Sequence, residues 1–483
     1  GEILRIVFSS DDGQYTVARI IDDHYREHTL VGALGSVLEG QDIEAKGHWE
    51  THPEHGRQFR VTSFRAVLPS SAEGVRRYLA SGLIPGIGPK LAERIVDRFG
   101  AETLDVLESA SGRLSEVPGV GKKRIAQIRE AWQRHTAERD VTIFLQGLGL
   151  GLRTCAQILN RYGAGSPEVV RRNPYVLASD VRGIGFIKAD RIARNLGIEH
   201  DSLLRLAAGT AYVLERMSEQ GHTCCSEDIL VQEAADTLEV DDQRARLGLQ
   251  QALDAGRVVA DTFAGTTFVY LRHLYAAEKE LADSLSTLIA DRSEKQWTVT
   301  PDDERGTTLN RKQQEAVNAA FRHRISVITG GPGVGKTTVV GRIVRNARRL
   351  NLKILLAAPT GRAAKRLSEA SRFQAKTIHR LLRWDPVRRA FVHNRDRPLR
   401  TDLLIVDEAS MLDVLLANHL FRAVGAGTHV VLVGDRDQLP SVGPGYVLHD
   451  LIESGRIPVT HLSEIYRQSE DSRIVWNAHA VNR

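Results

Sequence analysis

The sequence predicts a multidomain fold. Its parts are a small five-stranded β-barrel over residues 1–72, helical repeats over 73–200, helices closed by a two-stranded ribbon over 201–300, and an α/β domain on a parallel sheet over 301–483. Three observations carry this. Five β-branched and aromatic stretches fill the first 70 residues, a glycine–apolar–glycine turn recurs between residues 83 and 200, and a β-branched run at 325–329 enters a glycine-rich loop that opens a helix.

Composition narrows the class before any motif is read. Hydrophobic residues make up 42% and charged residues 26%, so a packed core is affordable to the chain and wholesale disorder is excluded. Lys and Arg number 65 against 60 Asp and Glu, a net charge of +5 that suits a polyanionic partner without requiring one. Three cysteines, Cys155, Cys224 and Cys225, build no disulfide framework and point to a reducing, cytoplasmic setting. The longest apolar runs, such as LLIV at 403–406, are strand-sized and far short of the roughly 20 residues of a membrane helix. No basic segment followed by an apolar stretch opens the chain, and Gly1 in place of Met reads as a processed or partial sequence.

The first five stretches are GEILRIVF, QYTVARIID, HTLVGALG, QDIEAKGHWE and GRQFRVTSFRAVL, separated by polar turns. Five such strands suit an oligonucleotide-binding type of barrel, used for nucleic acid or for protein contacts alone.

In the helical region, Pro85-Gly86-Ile87-Gly88 before KLAERIVDRFG matches Pro118-Gly119-Val120-Gly121 before KKRIAQIREAW. Weaker copies place Gly149 and Gly151, then Gly183 and Gly185, at the glycine positions. Such a turn leaves the first N–H groups of the next helix pointing outward with no Cβ in the way, a seat for a phosphate. Lys90 and Lys122 follow the first two turns and put charge where a backbone phosphate would lie. The segments resemble helix-hairpin-helix motifs, which bind DNA backbone without reading sequence. The third copy has Leu148 before its turn and Leu152 after it, and the fourth has Arg182 and Phe186, so the DNA contacts are expected from Gly86, Gly88, Lys90, Gly119, Gly121 and Lys122.

Residues 201–300 alternate helical stretches with the hairpin RVVADTFAGTTFVYL, a winged-helix-like pattern that binds DNA or protein. His222, Cys224 and Cys225 make a poor metal set, because adjacent cysteines chelate badly and no second pair exists. The polar stretch TVTPDDERGTT at 298–308 reads as a domain boundary.

The strongest chemistry lies at ISVITGGPGVGKT. Gly330, Gly331, Pro332, Gly333, Val334 and Gly335 form the loop, Lys336 brings a point charge to the β- and γ-phosphate oxygens of ATP, and Thr337, followed by Thr338, offers a hydroxyl to Mg²⁺. About 70 residues on, the strand of DLLIVDEAS ends in Asp407 and Glu408. The first suits a magnesium ligand and the second a base that orients the attacking water. A third strand, HVVLVG, leads to Gln438, whose neutral amide can bond the γ-phosphate.

GGPGVGKTT, APTGRAAKRL, TIHRLL, LIVDEASMLD and VGDRDQLPSVGPG occur in this order and resemble the motifs of superfamily 1 DNA helicases, in the wording of the RecD-like branch related to the exodeoxyribonuclease V alpha subunit. The resemblance extends over nearly the whole chain and implies a RecA-like motor that uses ATP and Mg²⁺. The activity it implies is movement 5′ to 3′ on single-stranded DNA with unwinding of duplex, in recombination or repair. Its implied partners are single-stranded and forked DNA and other recombination or repair proteins. By the same resemblance, Gln313 in LNRKQQEAV contacts adenine, and Arg467 in EIYRQ reaches the γ-phosphate. Pro359, Thr360, Gly361 and Arg362 hold successive strand phosphates, and His379 supports or contacts the strand. Lys365 and Arg366 read as solvated charges on the next helix.

Residues 383–400 carry six Arg against two Asp and read as a basic hairpin inserted in the motor, the pin at a duplex fork by resemblance or else a charged loop. No later motif with a completing arginine follows before residue 483, so the resemblance implies a first motor domain without its second. Two rival readings remain: a DNA-structure-binding protein that uses nucleotide as a switch, and an RNA helicase, since phosphate contacts barely distinguish the sugars.

Overall fold

The computed structural model describes residues 1–9, 15–22, 24–32, 34, 37, 42–52, 56–67, 69, 72–80, 84–291, 297 and 309–464. Arg467 and the boundary stretch 298–308 lie outside these. The chain forms two compact units, Gly1–Arg205 and Leu206–Arg483.

In the first unit, strands β1 (Glu2–Ser9), β2 (Thr16–Ile21), β3 (Glu27–Gly32), β4 (Asp42–His52) and β5 (Gly56–Val67) close a barrel in the order β1-β2-β3-β5-β4. All pairs are antiparallel except β3 with β5. Alternate residues point inward, so Ile3, Ala18, Leu30, Ile43 and Val61 fill the interior.

The helical repeats follow. All four glycine turns share one backbone: Gly86, Gly119, Gly149 and Gly183 have φ of +96°, +81°, +82° and +91°. Gly88, Gly121, Gly151 and Gly185 are the extended N-caps of the helices Pro89–Phe99, Lys122–Gly147, Leu152–Tyr162 and Phe186–Asn195. The weaker sequence match of copies three and four therefore does not carry into their backbone. The likeness runs deeper, as a duplication of hairpin pairs. Gly163 (φ +61°) repeats Gly100 (φ +56°), and Ser166 Oγ donates to the Gly163 carbonyl at 2.6 Å as Thr103 Oγ1 does to Gly100 at 2.7 Å.

The helix Leu203–Glu219 leads into the second unit, which continues with the helices Glu227–Leu238, Asp242–Asp254 and Arg272–Ala290 and a ribbon ordered β6 (Cys224–Ser226), β8 (Thr266–Leu271), β7 (Val258–Phe263). It continues through β9 (Ile325–Thr329), β10 (Ile354–Ala358), β11 (Ala375–Thr377), the short hairpin β12 (Trp384–Asp385) and β13 (Ala390–Phe391), β14 (Leu403–Val406), β15 (His429–Gly434) and β16 (Val459–His461). Six strands form a parallel sheet in the order β11-β10-β14-β15-β9-β16.

Both faces of this sheet are covered, which is why its strands are apolar throughout. Leu403, Ile405, Val431 and Val433 point to the face packed by the helices Arg311–Arg322 and Lys336–Arg349. Leu404, Val406, Val430 and Leu432 point to the other, whose core also contains Leu230, Val258, Leu271, Leu281 and Leu285 of the winged-helix-like segment. Glu280 adds polar ties, accepting from Asn418 Nδ2 at 3.0 Å and Arg422 Nη1 at 3.1 Å. This shared core makes one compact unit from Leu206 onward, across the boundary expected at 298–308.

Candidate nucleotide and strand site

β9 is buried along its whole length and delivers the glycine loop to the C-terminal edge of the sheet. Gly333 (φ +82°) and Gly335 (φ +87°) take left-handed conformations that a side chain would strain. A Cβ on Gly330 would collide with the Leu462 carbonyl. Val334, 1% exposed, pins the loop to the core. Gly335 caps the helix Lys336–Arg349, so the N–H groups of Lys336, Thr337 and Thr338 are first-turn donors without helical partners. Lys336 Nζ donates to the Gly330 carbonyl and, at 3.2 Å, to Gly331. Burial pushes the Lys336 ammonium below its ordinary pKa, against the pull of Asp435, Glu408 and Asp407. A triphosphate meets that need: it brings negative charge to a buried cation and to the helix N-terminus at once.

β15 lies between the loop strand β9 and the acid strand β14. Asp407 follows β14; its N–H donates to the Ala357 carbonyl at 2.9 Å, and its Oδ1 accepts from the Glu408 N–H at 3.0 Å. Burial raises its carboxyl to about 6, the neighbouring Glu408 charge adds to the rise, and Lys336 and the Glu408 N–H oppose it. Glu408 sits at φ +53°, ψ 42°, a conformation costing on the order of 1–3 kcal/mol for a non-glycine residue. Asp435, missed in the sequence reading, ends β15 with 2% exposure and is the foremost of the acids that hold Lys336 charged. The signal was there, an acid directly after a buried parallel strand.

Gln438 is exposed just beyond β15. It lines a cleft of about 340 Å³ with Thr360, Arg362, Ala363, Arg366, Glu408 and Met411. Thr360 Oγ1 accepts from the Ala363 N–H at 3.2 Å and so caps the helix Gly361–Ser371, which begins right after Pro359. Thr360 and Arg362 of the expected strand-holding segment and Glu408 of the acid pair thus open onto one space.

Two placements differ from expectation. Gln313 is 1% exposed and does not present its amide to a base: Oε1 accepts from the Asn310 N–H at 3.2 Å, and Nε2 donates to the Val334 carbonyl of the loop at 3.3 Å. LNRKQ also fits a capping box, and both hydrogen bonds of that box are present. His379 is absent from the cleft lining; its ring lies 5.6 Å from Phe391, which also stacks edge-on with Trp384 at 5.0 Å and His419 at 4.9 Å. It braces the β12–β13 hairpin.

In the repeats, Lys90 and Lys122 are exposed beside Gly88 and Gly121, as their turns require for phosphate contact. Arg94 Nη1 donates to the Pro118 carbonyl at 2.7 Å and Arg124 Nη2 to Gly86 at 3.4 Å, so each hairpin holds the other's turn. Nothing in a single copy of the motif announces that exchange.

Family models match along the chain: an OB-fold domain of the ATP-dependent DNA helicase YrrC at residues 1–69, a SAM-like helix-hairpin-helix tandem at 77–134, the HHH domain of ATP-dependent RecD2 DNA helicase at 134–224, and an AAA domain at 313–444. The ATP-dependent RecD2 DNA helicase of Deinococcus radiodurans is 33% identical over 100% of this chain and 69% of its own length. The RecBCD enzyme subunit RecD of Mycolicibacterium smegmatis is 35% identical over 42% of this chain and 41% of its own. Among solved structures, the Pif1 helicase of Candida albicans aligns over 35% of this chain and 43% of its own at 23% identity, with a TM-score of 0.28. Barrel, paired hairpins and phosphate-loop domain stand in the order of the matched models, and the chain belongs to the RecD2-type ATP-dependent DNA helicases.

Proposed function

We propose that this chain couples ATP hydrolysis to movement along single-stranded DNA, 5′ to 3′ as the family resemblance implies, and so opens forked duplex. The observation that carries the reading is the single cleft that joins the expected strand-holding residues Thr360 and Arg362 to Glu408 and Gln438. A nucleotide switch has no need for strand contacts there.

Lys336 and the first N–H groups of its helix hold the triphosphate, and Thr337 with Asp407 would hold Mg²⁺, which supplies charge neutralisation at the phosphates when bound. Glu408 orients the attacking water and accepts its proton. Gln438 bonds the terminal phosphate, and the family resemblance gives Arg467 the same partner. Pro359, Thr360, Gly361 and Arg362 track the strand. The β12–β13 hairpin, with Val387 91% exposed at its tip, is the pin, braced by His379 and Phe391. The four hairpin turns grip backbone without sequence preference.

The partners are single-stranded and forked DNA together with other recombination or repair proteins. No helix of the described residues is long and apolar enough to cross a membrane, and the three cysteines are free, in keeping with work in the cytoplasm.

The test is steady-state ATP hydrolysis with and without a single strand of roughly 20 nucleotides, beside Lys336→Ala. Strand stimulation that the variant abolishes supports the motor; nucleotide binding with no stimulation returns the switch.

A further inference from the structure

Lys365 and Arg366 are both exposed on the helix Gly361–Ser371, as expected from sequence, but they face different surroundings. Lys365 is 80% exposed with only Glu369 at 4.0 Å. Arg366 instead lines the 340 Å³ cleft, one helical turn from Arg362 on the same face of the helix Gly361–Ser371, and shares that space with Glu408 and Gln438. Among the described residues, Arg362, Arg366 and Glu408 close no ion pair with one another or elsewhere. The cleft therefore holds two guanidinium groups and one carboxylate, net positive and open to solvent.

The chemistry that such a space takes is a phosphate oxyanion. Two sources exist, the strand backbone and the terminal phosphate of the nucleotide. Lys336 and Thr337 of the phosphate loop are not among the lining residues, whereas Thr360 and Arg362 are. That favours the strand.

We propose that Arg366 seats a strand phosphate in this cleft, one helical turn beyond Arg362. An arriving phosphate offers the planar guanidinium a charge-assisted, forked partner. The seated phosphate shares the cleft with Glu408 and Gln438, so the strand path and the nucleotide site meet in one space. The inference rests on the motor reading and adds a strand contact to it.

The experiment compares the unsubstituted 483-residue chain with Arg366→Ala and Arg366→Lys. It measures ATP hydrolysis with and without the same strand, strand affinity by fluorescence anisotropy across a salt series, and affinity for ATP against ADP. In Arg366→Ala the strand affinity, and with it the stimulation at a sub-saturating strand concentration, falls about tenfold, the size of one lost charge-assisted contact. Its log–log salt slope drops by about one, and ATP and ADP affinities keep their ratio. Arg366→Lys keeps the slope and recovers part of the stimulation, because charge survives and the fork does not. Arg366 is exposed, so both variants fold, which matching thermal midpoints verify. Undiminished stimulation in Arg366→Ala overturns the inference while leaving the motor reading intact. Selective loss of ATP affinity with unchanged strand affinity also overturns it, by assigning the phosphate to the nucleotide. Absence of stimulation in the unsubstituted chain removes the motor reading and this inference together.

Discussion

The backbone N–H of Gly445 donates to the carbonyl of Gly221 at 2.9 Å, tying the segment after Gln438 to the turn that precedes the winged-helix ribbon. Both glycines are left-handed, Gly221 at φ +99° and Gly445 at +98°. Ser441 Oγ reinforces the segment by donating to the carbonyls of Gly443 and Gly445 at 2.8 and 3.0 Å. The segment that carries Gln438 at one end is thus anchored to the winged-helix-like segment at the other.

Gly445→Ala tests that anchor. A Cβ there would lie 3.1 Å from Val414 Cβ and 3.3 Å from Thr223 Cγ2, on a backbone that side chains rarely adopt. The expected cost is about 1–3 kcal/mol, read as a lower thermal midpoint, with a larger proportional loss of strand-stimulated than of strand-free hydrolysis. Equal losses in both rates would reduce the anchor to a packing contact.

Asp407 sets a pH dependence. Its folded carboxyl titrates near 6, above the ordinary value of 3.8, so the folded state binds the proton more tightly than the unfolded chain. The folded state therefore loses stability as pH rises through that window, by on the order of 3 kcal/mol. Asp407→Asn is expected to be the more stable protein in urea at pH 7.5, with that advantage gone at pH 3.5. Nucleotide-dependent hydrolysis runs the opposite way, falling below about pH 6 as the carboxylate is protonated.

The hairpin pairs predict equal backbone requirements. Gly149 and Gly183 are as left-handed as Gly86 and Gly119, and a Cβ at Gly149 or Gly183 would meet nothing within 4 Å. Alanine at either position should cost only the conformational term, about 1–2 kcal/mol. Urea denaturation measures it. A negligible cost at Gly149 or Gly183 would mean that those turns relax to another conformation.

Much of this was legible in the sequence because it depends on local pattern. Alternation gave the barrel strands, glycine spacing the hairpin turns, and the glycine loop after β9 with the acids after β14 the candidate nucleotide site. What stayed hidden depends on partners distant in the chain. The Arg94–Pro118 exchange, the seating of Arg366 beside Glu408, and the merging of the 206–290 segment with one sheet face each join residues that no short motif links.

Gln313 shows how one residue can satisfy two patterns. Read as a base-contacting glutamine, it should govern the choice of nucleobase. In the structure its Oε1 closes the capping box on Asn310 and its Nε2 holds the Val334 carbonyl, so its first task is to fix the phosphate loop. Asn310 is fixed in turn, its Nδ2 donating to Glu464 at 2.8 Å. Gln313→Ala removes a cap interaction and a loop tie, together about 1–2 kcal/mol, or roughly a tenfold loss. That loss is expected to fall equally on ATP and GTP, since the loop contacts phosphates common to both. Competition between the two nucleotides in the variant decides the matter. Parallel weakening keeps Gln313 as a loop clasp, whereas selective loss of ATP would require its amide to leave Asn310 or Val334 and turn to adenine when nucleotide binds.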